Sequence, residues 1–248
     1  MLKFRLLGIP VAVHVTFLFI ALLGATTYSG FDIAIWTAAA FASILLHEMG
    51  HALTARGFGA TGVNVTLYGL GGVTTYGAAK KMSNGRSFLI SAAGSATGII
   101  VGGALLFLGR DGAFVGVSHE VIVFIESFIF TALVWGILNW IPIVPLDGGH
   151  MVQSIATAVS EKHGPLISQV ITWITVAIVV PLALMNGFQF AAIIVVLFAF
   201  SGLREYRAAA ARRSKRERPP SGPEPAPPAA PAPSAPPVPK KPPPEFPI

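Results

Sequence analysis

His47, Glu48 and His51 stand in the order His-Glu-Met-Gly-His. Residues four apart share one face of a helix. Both imidazoles therefore point the same way with a carboxylate beside them, which is half of a zinc site plus a base. The pair lies in a long apolar run, 33–56, where two histidines and a glutamate cost free energy unless they are paired or bound to metal. The bland alternative is a polar cluster that packs helices together. A catalytic zinc takes three protein ligands and keeps one position open for water. The chain has no cysteine, so the third ligand must be His, Asp or Glu. Disulfides, iron–sulfur clusters and thiol catalysis are excluded with it.

The elements that must position these groups follow from composition. Of 248 residues, 53% are hydrophobic and 11% charged, against roughly 25% charged in soluble domains, and the mean hydropathy is +0.69. A bilayer core needs roughly 20 apolar residues in a helix. Six runs approach that length, at about 10–28, 33–56, 87–109, 121–141, 166–185 and 188–203. The fold class expected is an all-α polytopic membrane protein with about six transmembrane helices. Lys3 and Arg5 ahead of the first run, with Ala25 near its end, also fit a cleaved leader, although Pro10 and His14 suit one poorly.

Basic residues in short loops stay cytoplasmic. Lys3, Arg5, Arg56, Lys80, Lys81, Arg86, Lys162 and the cluster after 203 then all fall inside, leaving Arg110 outside. Both termini are cytoplasmic on this reading. The net charge of +6 is mostly carried by the end of the chain: residues 1–200 hold 8 Lys/Arg against 7 Asp/Glu, and 201–248 hold 9 against 4. That distribution argues against a basic nucleic-acid domain. The basic stretch 204–218 should rest on anionic lipid headgroups. Fifteen of the 20 prolines follow it, so 207–248 reads as a basic, proline-rich disordered tail that could dock a partner. Residues 1–206 form the membrane domain. Between the second and third runs, Val63, Val65 and Leu67 alternate ahead of Gly69-Leu70-Gly71-Gly72, which predicts a short membrane-associated β-hairpin. Gly94, Gly98 and Gly102 make a small-residue stripe for close helix packing.

Glu48 and Glu126 lie within the runs, and Asp147 lies a few residues beyond one of them. Glu126 falls near the outer end of the fourth run, away from the histidines, and reads as an interfacial side chain. Asp147 follows the inner end of that run, in Asn139-Trp140-Ile141-Pro142-Ile143-Val144-Pro145-Leu146-Asp147-Gly148-Gly149. Antiparallel packing brings it to the depth of the histidine pair. Pro142 and Pro145 break the helix, and Gly148 and Gly149 permit conformations closed to other residues, so Asp147 can leave the helical path. His150 reads as a hydrogen-bonding neighbour of the site, and His14 as a helix-contact residue.

These paired motifs resemble the site-2 protease family, in which HExxH in one membrane helix is followed about ninety residues later by N-x-x-P-x-x-P-L-D-G-G. The resemblance implies an intramembrane zinc endopeptidase with one Zn2+ per chain, held by His47, His51 and Asp147. It makes Glu48 the general base, gives Asn139 a role in positioning substrate or polarising its carbonyl, and makes 69–72 a substrate-presenting segment. The substrate would be a membrane-anchored protein cut near the cytoplasmic face, in what we expect is a prokaryotic cytoplasmic membrane. Gly94-Ser95 departs from the Gly-Pro of many members and is expected to bear on packing more than on chemistry. Neither 57–85 nor the tail can house the PDZ or CBS domains that some relatives carry. The other class of reading is a proteolytically inactive membrane binding protein or metal transporter, which would have no need to retain Glu48.

Overall fold

The computed structural model describes residues 1–69, 71–78 and 82–217. Strands β1 (Leu2–Leu6) and β2 (Ile9–Val13) open the chain. Leu7 and Gly8 join them, both with positive φ (51° and 81°). A two-residue hairpin turn with the twist of its strands requires that conformation, and glycine adopts it without cost. A 3-10 helix, Val15–Phe19, and a short helix α1 (Ile20–Gly24) follow. Then come α2 (Asp32–Gly57), strands β3 (Thr61–Tyr68) and β4 (Gly71–Gly77), and helices α3 (Asn84–Arg110) and α4 (His119–Leu138). Helices α5 (Asp147–Val159), α6 (Gly164–Met185) and α7 (Gln189–Glu217) are the last of the described elements.

Among the described residues, five helices are long and apolar enough to cross a membrane: α2, α3, α4, α6 and α7 as far as Ala211. The expected sixth span, 10–28, is not a helix of that kind. Ile9, Val11 and Val13 alternate as a strand, with Ile9 and Val11 buried. His14 then caps the 3-10 helix, its ring accepting from the Thr16 backbone N–H at 3.2 Å. His14 is thus a cap and not a helix-contact residue. The segment nevertheless runs along α2 in the opposite direction. Phe17 meets Phe41 edge-on at 5.8 Å, and farther on the Trp36 indole donates to the Ile20 carbonyl at 3.2 Å.

The four strands form one sheet in the order β1-β2-β3-β4. β1 and β3 each pair antiparallel with the strand that follows, whereas β2 and β3 are parallel, with Val11 opposite Val65 and Val13 opposite Leu67. One face of the sheet, Ile9, Val11, Val63, Val65 and Leu67, packs with Ile44, Met49, Ala52 and Ala55 of α2. The Arg56 guanidinium donates to the Leu7 carbonyl at 2.7 Å, tying the end of α2 to the first turn.

α2 is the central helix and the most enclosed of the five long ones. Small residues let its neighbours approach. A methyl on Gly50 would stand 2.7 Å from the Ala93 carbonyl of α3, and one on Gly98 would stand 3.2 Å from the Ala132 carbonyl of α4. Past α4 the chain leaves helix from Asn139 to Leu146, as the two prolines dictate, and Ile143 packs with Val176 of α6 and Ala199 of α7. Asp147 then opens α5, a 13-residue helix that sequence reading passes over.

Chain contacts separate residues 1–209 from 210–248. Within the second unit, 210–217 is helical. The proline-rich stretch, and Lys80, Lys81 and Arg218 of the charge argument, lie outside the described residues.

Candidate metal centre

The i, i+4 spacing on α2 stacks the His47 and His51 rings edge to face, 4.8 Å between centroids, with their Nε2 atoms 3.1 Å apart. The Oδ2 atom of Asp147 stands 3.2 Å from His47 Nε2 and 3.3 Å from His51 Nε2. Both histidines are buried and Asp147 nearly so. Helix α3 backs the centre. His51 Nδ1 lies 2.6 Å from the Ile90 carbonyl, and Gly94 leaves the space that the ring fills, since a methyl there would collide with its Nε2 and Cε1 atoms. A carbonyl only accepts, so Nδ1 carries the proton of a neutral ring and the Nε2 lone pair faces the other two groups. The Ser95 hydroxyl donates to Asp147 Oδ2 at 3.0 Å.

Two nitrogen lone pairs and a carboxylate oxygen converging in a dry pocket repel one another unless a cation or proton lies between them. Ligands about 2.0–2.1 Å from a tetrahedral ion stand about 3.3 Å apart. The three separations, 3.1, 3.2 and 3.3 Å, match that spacing. Nitrogen and oxygen donors without sulfur suit zinc. His47 Nδ1 is buried without a hydrogen-bond partner among the described residues, so nothing draws that ring away from the centre.

Among the described residues, His47, His51 and Asp147 are the group of histidine and acidic side chains able to hold an ion, with their ligand atoms within 4.8 Å of one another. His150, immediately after the aspartate pair of glycines, is not in this group. Glu126, as anticipated, is exposed, and it lines an open groove with Leu106 and Phe130 away from the centre.

Glu48 also stays out of the ligand group and turns toward the sheet. The Thr74 hydroxyl on β4 is 2.7 Å from Glu48 Oε2 and 3.1 Å from the Glu48 carbonyl. Gly72 gives the carboxylate room, because a methyl there would lie 2.6 Å from Glu48 Cγ. Next to Gly72, Gly71 faces Trp135 of α4, where a methyl would stand 4.0 Å from the indole. Asn139 caps α4. Its side-chain amide donates to the Trp135 carbonyl at 2.9 Å, and its backbone carbonyl accepts from the Gly148 N–H at 2.6 Å.

Two expectations about the loop change. Gly148 and Gly149 do not have positive φ. They are needed for close approach: methyls there would overlap the Ile141 carbonyl and the Val144 nitrogen at 2.5 Å or less. Asp147 also does not leave a helical path. The break precedes it, and it sits in the first turn of α5, where a carboxylate is favoured by the helix dipole. Sequence reading missed Ser95, Thr74 and the Ile90 carbonyl. The Gly94-Ser95 departure was the visible signal for Ser95, but nothing in the order of residues connects it to a side chain 52 positions away.

Residues 112–184 match peptidase family M50. The chain is 28% identical over 166 residues to the zinc metalloprotease MJ0392 of Methanocaldococcus jannaschii, covering 66% of this chain and 46% of that protein. It is 33% identical over 124 residues to the putative zinc metalloprotease Rip3 of Mycobacterium tuberculosis, covering 50% and 30%. With the putative zinc metalloprotease sll0528 of Synechocystis it shares 31% over 146 residues, covering 56% and 37%. The chain thus spans less than half the length of these relatives. The structure of the site-2 protease from M. jannaschii superposes with a TM-score of 0.61 at 23% identity, covering 83% of this chain and 94% of that one, which establishes a common fold.

Proposed function

We propose that the chain is a member of the site-2 protease family, an intramembrane zinc endopeptidase acting on membrane-anchored proteins near the cytoplasmic face. The observation that carries the proposal is the convergence of His47, His51 and Asp147 on one point, with a carboxylate at the next position along α2.

Zinc held by His47, His51 and Asp147 would polarise a carbonyl as a Lewis acid and lower the pKa of water. The remaining steps belong to the protein. Glu48 accepts a proton from the attacking water and delivers it to the leaving amine nitrogen. Thr74 holds one oxygen of that carboxylate, leaving Oε1 to exchange the proton. Ile90 and Gly94 fix the tautomer and tilt of His51. Asn139 stands on the loop that carries Asp147, and we assign it contact with the substrate backbone. A helical substrate hides its carbonyls in its own hydrogen bonds, so the segment to be cut must unwind. Among the described residues β4 pairs along one side only, and its other edge is where an unwound segment adds as a strand.

The orientation we assign puts the sheet, Arg56 and the start of the chain on the cytoplasmic side. The N-terminal segment runs opposite to α2 although it is not a full helix, so the alternation of basic loops survives the loss of a sixth span. The basic end of α7 then meets anionic headgroups.

The test is zinc content together with cleavage of a single-span reporter by the purified, detergent-solubilised full chain. About one zinc per chain and measurable cleavage are expected. Glu48→Gln should keep the zinc and lower cleavage by about 10²–10⁴-fold. Full activity in Glu48→Gln refutes the assigned base, and a well-folded protein without zinc refutes the whole reading.

A further inference from the structure

We propose that Ser95 is a positioning residue for Asp147: its hydroxyl fixes the plane of the carboxylate that faces the histidine pair, and so raises the affinity of the centre for zinc. The inference rests on the metalloprotease reading and adds a residue outside the ligand set.

Ser95 is fully buried in α3, with 0% of its surface exposed. A hydroxyl inside an apolar helix ordinarily turns back to the carbonyl four residues earlier. Thr37, Thr97, Thr131 and Thr175 do so in the long helices, at 2.7–2.9 Å, whereas Ser127, Ser168 and Thr172 reach other segments. Ser95 likewise donates across the α3–α5 contact to Asp147 Oδ2. That oxygen is also the one 3.2 and 3.3 Å from the two imidazole nitrogens. A carboxylate oxygen has two in-plane lone pairs. With one directed at Ser95 and the other at the histidines, rotation about the Cβ–Cγ bond is fixed.

Ile90, five residues earlier on the same helix, performs the matching task for His51. Helix α3 therefore contributes no ligand and yet orients two of the three. Hydrogen-bonded partners of metal ligands are typically worth about 10–100-fold in metal affinity. Without its donor, Asp147 loses a partner in a site with little water to replace it.

The experiment compares wild type, Ser95→Ala and Ser95→Thr as full-length protein in detergent. Zinc affinity is read by competition with a chromophoric chelator, and Tm is measured with zinc and after chelation. Ser95→Ala should bind zinc about 10–100-fold more weakly, with an unchanged Tm in the chelated state, and Ser95→Thr should recover most of the affinity. In cobalt-loaded samples the visible ligand-field bands of Ser95→Ala should shift, and those of Ser95→Thr should stay with wild type. Equal zinc affinity in wild type and Ser95→Ala overturns the inference and leaves the protease reading standing. A Tm that falls as far in chelated as in zinc-loaded Ser95→Ala shows that the hydroxyl serves packing of α3 on α5, and also overturns it. Failure of the wild type to bind zinc removes the metalloprotease reading itself.

Discussion

The two walls of the centre are built differently. On one side α3 presses against the histidines and the aspartate with a carbonyl, a hydroxyl and a missing Cβ, all from one long helix. On the other, Glu48 meets β4, the last strand of a small sheet, through the Thr74 hydroxyl and the bare backbone of Gly72. Metal retention is thus assigned to a rigid helical interior, and proton transfer to a strand whose outer edge can take up a partner. One position along α2 separates the two tasks.

The contrast can be broken by adding single methyls. Gly94→Ala should have the largest effect, because the added carbon overlaps the His51 ring. Overpacking costs about 1–3 kcal/mol, and a displaced ligand should weaken zinc binding on the order of 100-fold, read by chelator competition, with cleavage falling in parallel. Gly72→Ala should spare the metal and displace the base. Misplacement by about 1 Å can cost about 100-fold in rate, so reporter cleavage should fall toward that level with zinc affinity at the wild-type value. If Gly72→Ala strips zinc as Gly94→Ala does, the walls are not separable. Thr74→Val sharpens the same distinction with the smallest change. It keeps the β-branched shape and removes one hydrogen bond to a carboxylate, worth about 1.5–3 kcal/mol. The expected outcome is a drop in cleavage on the order of tenfold with unchanged metal content.

How much of this was legible in the sequence depends on distance along the chain. His47, Glu48 and His51 lie within one and a half turns, so helical periodicity alone placed them. Five of the six apolar runs are helices because nothing in them competes with the helical path. The first run misled because Pro10 and Ala12, between Ile9, Val11 and Val13, are apolar too. Period-two alternation has no contrast there, and a hydropathy window sees only a continuous apolar stretch. Helix α5 was hidden by Gly148-Gly149, which read as freedom for Asp147 to leave the helical path. In the structure the pair is inside the helix, because only glycine clears the backbone of the preceding loop. Ser95 and Thr74 were out of reach for a different reason. Each acts on a residue of another element, at sequence separations of 52 and 26, and one small hydroxyl in an apolar or strand segment carries no periodic signal.

The parallel pairing of β2 with β3 also dictates an order of events during synthesis. Val11 faces Val65, 54 residues downstream, with the whole of α2 between them. At about 5–20 residues per second, the first hairpin leaves the ribosome roughly 3–10 s before its neighbouring strand exists. During that interval Ile9 and Val11, buried in the finished protein, have neither sheet nor helix to cover them. The start of the chain is made first, and its sheet is completed only after α2 and β3 have followed.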